Sequence, residues 1–135
     1  EFRRVLFRSR HGERRHAIDV LYQADVTGQD ALAVLATWRG AERGIGAFAE
    51  ELVRGVAEHL PEIDALLGEA AEAWTVDRMP SLDRTILRLA CLELRFRDDV
   101  PPAVAIDEAV EAAKELSTED SARFVNGVLG RVARG

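Results

Sequence analysis

A chain of 135 residues carrying 18 basic and 24 acidic side chains, with a formal charge of −6, is long enough to bury a core without covalent staples. Its one cysteine, Cys91, excludes a disulfide framework or a cysteine-based metal cluster and points to a reducing, cytoplasmic setting. No apolar run approaches the roughly 18 residues of a membrane span, and no signal peptide opens the sequence.

Alanine and leucine are abundant, aromatics are few, and four prolines (Pro61, Pro80, Pro101, Pro102) punctuate long periodic stretches. That pattern predicts an all-α domain of about seven helices. The opening Glu1–Ser9 segment has no helical period and no cap, and Val5-Leu-Phe-Arg-Ser9 looks like translated sequencing-adapter DNA. On that reading Arg3, Arg4 and Arg8 are accidental, and the genuine basic cluster is Arg10, His11, Arg14, Arg15 and His16. Residues 1–16 hold six arginines against two glutamates, while the remainder of the chain is acidic. A basic end on an acidic body marks either a local polyanion site or a cationic arm without a dedicated ligand.

The first helix is expected from Glu13 to about Val26, with Ile18, Leu21 and Tyr22 inward and Thr27-Gly28 as its stop. Asp30 is placed to cap a second helix reaching Trp38 or Arg39. A third, Ala47 to Leu60, is amphipathic through Phe48, Leu52, Val53 and Val56. Pro61 breaks or kinks the chain and can open the next helix, which carries Ile63, Leu66 and Leu67 toward Trp74. Ser81 is a candidate cap for a helix from Asp83 to Arg95 that is apolar on more than one side, as expected of a central helix. Pro101-Pro102 precede a helix over 103–116, expected to bury Val104, Ala109, Val110 and Ala113.

The final helix, beginning near Asp120, has Val125, Val128, Leu129 and Val132 at i, i+3, i+4, i+7, the stripe of a core-packed helix. Its opposite face collects Arg123, Gly127, Gly130, Arg131 and Arg134. A mid-helix glycine costs about 1 kcal/mol relative to alanine, so this bare face needs a cause. Close approach of a neighbouring helix and approach of a phosphate-bearing ligand both supply one. For Gly127 the helix is the favoured neighbour, because Phe124 and Val128 border the apolar stripe.

Catalytic patterns are missing. Asp107, Glu111 and Glu115 share a helix face with no histidine and read as a solvated surface rather than a metal site. His59 stands alone, and Cys91 sits in an apolar run as an inert thiol. No phosphate-binding glycine loop is present, so neither enzyme activity nor a cofactor is expected.

Three segments together carry a resemblance: Leu82-Asp-Arg-Thr-Ile-Leu-Arg-Leu-Ala-Cys-Leu-Glu-Leu94, Asp99-Val-Pro-Pro-Ala-Val-Ala-Ile-Asp-Glu-Ala-Val-Glu-Ala-Ala-Lys114 and Glu119-Asp-Ser-Ala-Arg-Phe-Val-Asn-Gly-Val-Leu129. With Ala17-Ile-Asp-Val-Leu-Tyr-Gln23 after an arginine-rich start, the chain resembles the NusB family of bacterial transcription antitermination factors. The resemblance implies a single all-helical bundle in two three- to four-helix halves. It divides the chain into a basic arm over 1–12 and an RNA-binding domain over 13–135.

It further implies binding of the boxA segment of nascent ribosomal RNA together with NusE, a small-subunit ribosomal protein, within the RNA polymerase antitermination complex. Carried over by position, the RNA side comprises Arg10, Arg14, Arg15, Tyr22, Asp120, Arg123 and Phe124. Arginines there neutralise phosphates and the aromatics stack on unpaired bases; Tyr22 and Phe124 also suit a core, and Asp120 a cap. The NusE side comprises Trp74, Asp77, Arg78, Asp83 and Arg84, with capping as the other role open to Asp83. Two alternatives share the fold: the RNA-binding module of an RNA cytosine methyltransferase, which needs a Rossmann-type domain downstream, and a protein-interaction module without RNA. Family members resemble both monomers and homodimers.

Overall fold

The Ser9 hydroxyl accepts a hydrogen bond from the Gly12 amide at 3.3 Å and so caps the first helix. The computed structural model describes residues 9–42, 44–72 and 74–135. Among these, every regular element is helical: α1 (Arg10–Thr27), α2 (Ala31–Gly40), α3 (Ala47–Glu58), α4 (Leu60–Ala70), a 3-10 turn (Val76–Arg78), α5 (Ser81–Phe96), α6 (Pro102–Leu116) and α7 (Glu119–Arg134). The all-α expectation holds, with seven α-helices among the described residues. None of them is long and apolar enough to cross a membrane. Arg3, Arg4 and Arg8 lie outside the described residues.

The chain divides into two units, one ending at Glu58 and one running from His59 to Gly135. In the first, α1, α2 and α3 pack pairwise on one another. Ala17, Ile18, Val20, Leu21 and Ala24 of α1 meet a core that includes Val34, Leu35, Phe48, Leu52, Val53 and Val56. The Ser9 cap starts α1 three residues before the sequence pattern places it, so Arg10–Gly12 are helix rather than arm. The helix stops at Gly28, whose φ of +73° is a left-handed conformation that glycine adopts without strain. Asp30 precedes α2 as expected, but its side chain makes no capping bond.

In the second unit α5 is the hub, packing on α4, α6 and α7. Ile86, Leu87, Leu89, Ala90, Cys91 and Leu92 are all buried, as the multi-sided apolar pattern predicts. Pro61 sits in the first turn of α4, where no intrahelical donor is needed. That helix ends at Ala70, short of Trp74, and Glu72 turns the chain at a positive φ of 52°. Ser81 does not cap α5: Pro80 holds the cap position and no side chain caps the helix.

α6 packs through Ala105, Ala109, Ala112 and Ala113, the i, i+4, i+7, i+8 ridge, against an α7 stripe of Ala122, Val125, Val128, Leu129 and Val132. Ala109 and Ala113 are buried as expected, whereas Val104 is 41% exposed and Val110 is half-buried. Small side chains set the spacing between helices, and here the alanine ridge supplies them. Because Leu87 is fully enclosed, Leu87→Ala is expected to lower stability by about 2–5 kcal/mol through cavity formation, read as a lower midpoint in denaturant unfolding.

Candidate nucleic-acid interface

The basic cluster is built on an aromatic ring. Arg10 and Arg14 lie one helical turn apart on α1, and both guanidiniums rest over Phe48, at 4.3 Å and 5.3 Å from its centroid. Cation–π attraction of this kind holds a long side chain in place without consuming its hydrogen-bonding edge. Arg10 remains exposed, whereas Arg14 is only 5% exposed. Arg14 is therefore enclosed beside the Phe48 ring and not presented at the surface, as the phosphate contact implied by the family resemblance would need. Arg15 is half-buried, and Tyr22 lies two turns further on the same face of α1, 39% exposed. The core role open to Tyr22 is excluded by that exposure. Phe48 reads from sequence as a core residue alone; its partnership with two arginines has no signature in spacing because it is formed across helices.

The second unit carries the other expected residues. Asp120 and Arg123 form an ion pair across one turn of α7, both well exposed. Such a pair adds little stability. Phe124 is half-buried, and Trp74 meets it edge-on with centroids 6.0 Å apart at 62°. The two aromatics, assigned from sequence to different partners, thus form one pair whose outer member, Trp74, is 46% exposed. Asp77 and Arg78 are exposed in the 3-10 turn. Arg84 donates to the Val76 carbonyl at 3.0 Å and to the Ser81 hydroxyl at 3.4 Å, fastening that turn to α5.

Asp83 departs from the sequence reading. It is 5% exposed, too enclosed to meet a protein partner and without a capping role. Burial raises its carboxyl above the usual carboxylate range, opposed by a side-chain hydrogen bond with Ser121 of α7. Burial likewise pushes the Cys91 thiol up to about 11, against the lowering effect of Arg95, which fits the inert thiol read from sequence.

The glycine face of α7 also needs correction. No neighbouring helix approaches Gly127: the nearest atom a Cβ would meet is the Arg131 Nη1 at 3.9 Å, and at Gly130 it is the Arg134 Nη1 at 3.3 Å. Arg131 itself donates to the Ala70 carbonyl and lies 3.7 Å from Glu72, tying α7 to the end of α4. Close helix packing therefore does not account for Gly127. Beside this face, a groove of 710 Å³ is lined by Asp107, Glu111 and Lys114 of α6 and by Glu119, Arg123 and Asn126 of α7.

With this geometry in view, the NusB family model matches residues 11–134. The chain belongs to the NusB family. A transcription antitermination protein NusB from Saccharopolyspora erythraea is 53% identical over 128 residues, covering 93% of this chain and 86% of that protein. Among solved structures, T. maritima NusB superposes with a TM-score of 0.83 at 36% identity, covering 93% of this chain and 91% of its own. A crystal structure of antitermination factors NusB and NusE in complex with dsRNA gives a TM-score of 0.82 at 27% identity, covering 93% and 96%.

Two outcomes follow for this NusB-family chain. Gly127→Ala is expected to raise the melting temperature, by a stabilisation of up to about 1 kcal/mol, since the added methyl meets only a flexible arginine end. For Asp83, the folded pKa lies above the unfolded value near 3.8, so the folded state binds the proton more tightly. Stability then falls as pH rises from about that value through the raised pKa. Asp83→Asn, which cannot ionise, is expected to flatten this decline in a series of unfolding curves from pH 3 upward.

Proposed function

We propose that this chain is a cytoplasmic transcription antitermination factor that binds a boxA-type ribosomal RNA leader together with a NusE-type ribosomal protein. It acts by binding rather than by catalysis. The observation that carries the RNA assignment is the aromatic-backed arginine cluster of α1, with exposed Arg10 and Tyr22 in an otherwise acidic chain. Arginine on a ring supplies a pre-ordered phosphate contact, and an exposed tyrosine supplies a face for an unstacked base. A structural relative described as NusB and NusE in complex with dsRNA supports the pairing of RNA with a protein partner.

On this reading Arg10, Arg15 and Tyr22 contact RNA from the first unit, and Asp120, Arg123 and Phe124 from the second. Arg14 supports Arg10 from beneath. The NusE-type partner is met by Trp74, Asp77 and Arg78, while Arg84 holds their turn in shape. A basic ribosomal protein suits a chain of net charge −6, through which it joins the RNA polymerase antitermination complex.

The deciding experiment is fluorescence anisotropy on boxA and on a scrambled RNA of equal length, with and without NusE. Preference for boxA that strengthens with NusE is expected; equal affinity for both RNAs, unaltered by NusE, overturns the proposal. Arg10→Ala should weaken both RNAs alike and reduce the slope of log affinity against log salt by about 0.7, the increment for one phosphate contact on a single strand.

A further inference from the structure

Glu13 is an acidic residue inside the basic cluster, and the structure gives it a partner. It lies between Arg10 and Arg14 in sequence, is buried, and its Oε1 accepts a hydrogen bond from the Ala49 amide at 3.1 Å. Ala49 is in the first turn of α3, whose amides have no partner within the helix. A carboxylate from α1 therefore caps α3, where the helix dipole also favours negative charge. Gly46, immediately before α3, makes room for it: a Cβ there would stand 2.1 Å from Glu13 Oε1 and 2.6 Å from its Cδ. Phe48, the ring beneath Arg10 and Arg14, is the residue between Gly46-Ala47 and Ala49. One carboxylate thus fixes α1 against the very turn that carries the arginines' ring.

We propose that Glu13 is a positioning residue for RNA binding. It holds the first turn of α1 against the start of α3, so that Arg10 and Arg14 lie over Phe48 before any ligand arrives. The inference rests on the assignment of the α1 arginines to RNA. Glu13 touches no phosphate itself, and as an anion it opposes RNA through charge alone. Its contribution is pre-organisation: without the clamp, the arginines must be ordered at the moment of binding, at a cost in side-chain freedom.

This role has a signature that neither a phosphate contact nor general destabilisation shares. Displacing Glu13 should lower affinity while leaving the salt slope unchanged, because the same number of phosphates is neutralised. Gly46→Ala displaces the carboxylate without changing any charge. It is expected to weaken boxA and scrambled RNA about tenfold, the scale of a few side chains newly immobilised, at constant slope. Measurements are made with the full chain at a temperature where circular dichroism shows each variant fully folded. Glu13→Gln keeps an oxygen acceptor for the Ala49 amide and should restore affinity to within about twofold of the parent, whereas Glu13→Ala should not.

Unchanged affinity in Gly46→Ala and Glu13→Ala, with Arg10→Ala still weakening RNA, overturns the positioning role alone. Tighter binding in Glu13→Ala with no effect of Gly46→Ala also overturns it, showing the carboxylate to be only an electrostatic opponent. If Arg10→Ala and Arg15→Ala themselves change neither affinity nor slope, the RNA assignment of α1 fails first.

Discussion

Burial of α5 on nearly every side is the constraint that organises the second unit. Nine of its 16 residues are buried, three of them polar: Asp83, Thr85 and Glu93. Groups of that kind cost free energy inside unless neighbouring elements supply partners, and the supply here is partial: Asp83 Oδ1 and Thr85 Oγ1 are buried without a hydrogen-bond partner. Ser121 of α7 answers Asp83. Asp64 of α4 meets the half-buried Arg88 through two hydrogen bonds of 2.9 Å, a fork geometry that sets orientation as well as distance. The first of these contacts joins the start of α7 to α5, the second joins α4 to α5, and the start of α7 carries Asp120, Arg123 and Phe124. The candidate surface of this unit is thus a consequence of how its central helix is enclosed.

The turn leading into α5 obeys the same logic. Arg84 fastens Val76–Arg78 through a backbone carbonyl and a serine hydroxyl, and Trp74 just upstream lies against Phe124. A residue that reads as a partner contact is in this way a support for its neighbours. Asp83 and Arg84, adjacent in sequence, both do structural work, while Asp77 and Arg78 stand outside. Proximity in sequence did not separate these roles because they depend on which side of one helical turn faces α4, α6 and α7.

Much of the architecture was legible from the chain alone. Helix periodicity located all seven α-helices, and the multi-sided apolar pattern of 83–95 identified the hub, since enclosure is what such a pattern means. What escaped were features made between helices. Ser9 sits outside any periodic stretch, so its capping of α1 was invisible and Arg10–Gly12 read as an arm. On α6 the expected Ala109 and Ala113 are buried, but Val104 is exposed, Val110 is half-buried, and Ala105 and Ala112 complete the face, because a periodicity argument weighs hydrophobicity and ignores how near two backbones must come. Ser81 looked like a cap by residue type, yet Pro80 holds that position and its fixed φ suits the entry to α5. At the candidate site the arginines and aromatics were identified as types, but Arg14's burial, Phe48's ring and the Glu13 carboxylate arise from contacts between α1 and α3, separated by more than thirty residues.

The arrangement on Phe48 also shows how two arginines of the basic cluster are held close together on one helix. Two guanidiniums one turn apart repel each other, and nearby carboxylates would ordinarily draw them into exposed ion pairs of little net worth. A ring face offers a different partner: it attracts the flat side of a guanidinium through its quadrupole and takes up none of the donors on the edge. The Glu13 carboxylate is turned toward a helix N-terminus, where the Ala49 amide donates to it. The acid faces inward to α3 while the two guanidiniums lie against the Phe48 ring, Arg14 enclosed there and Arg10 exposed.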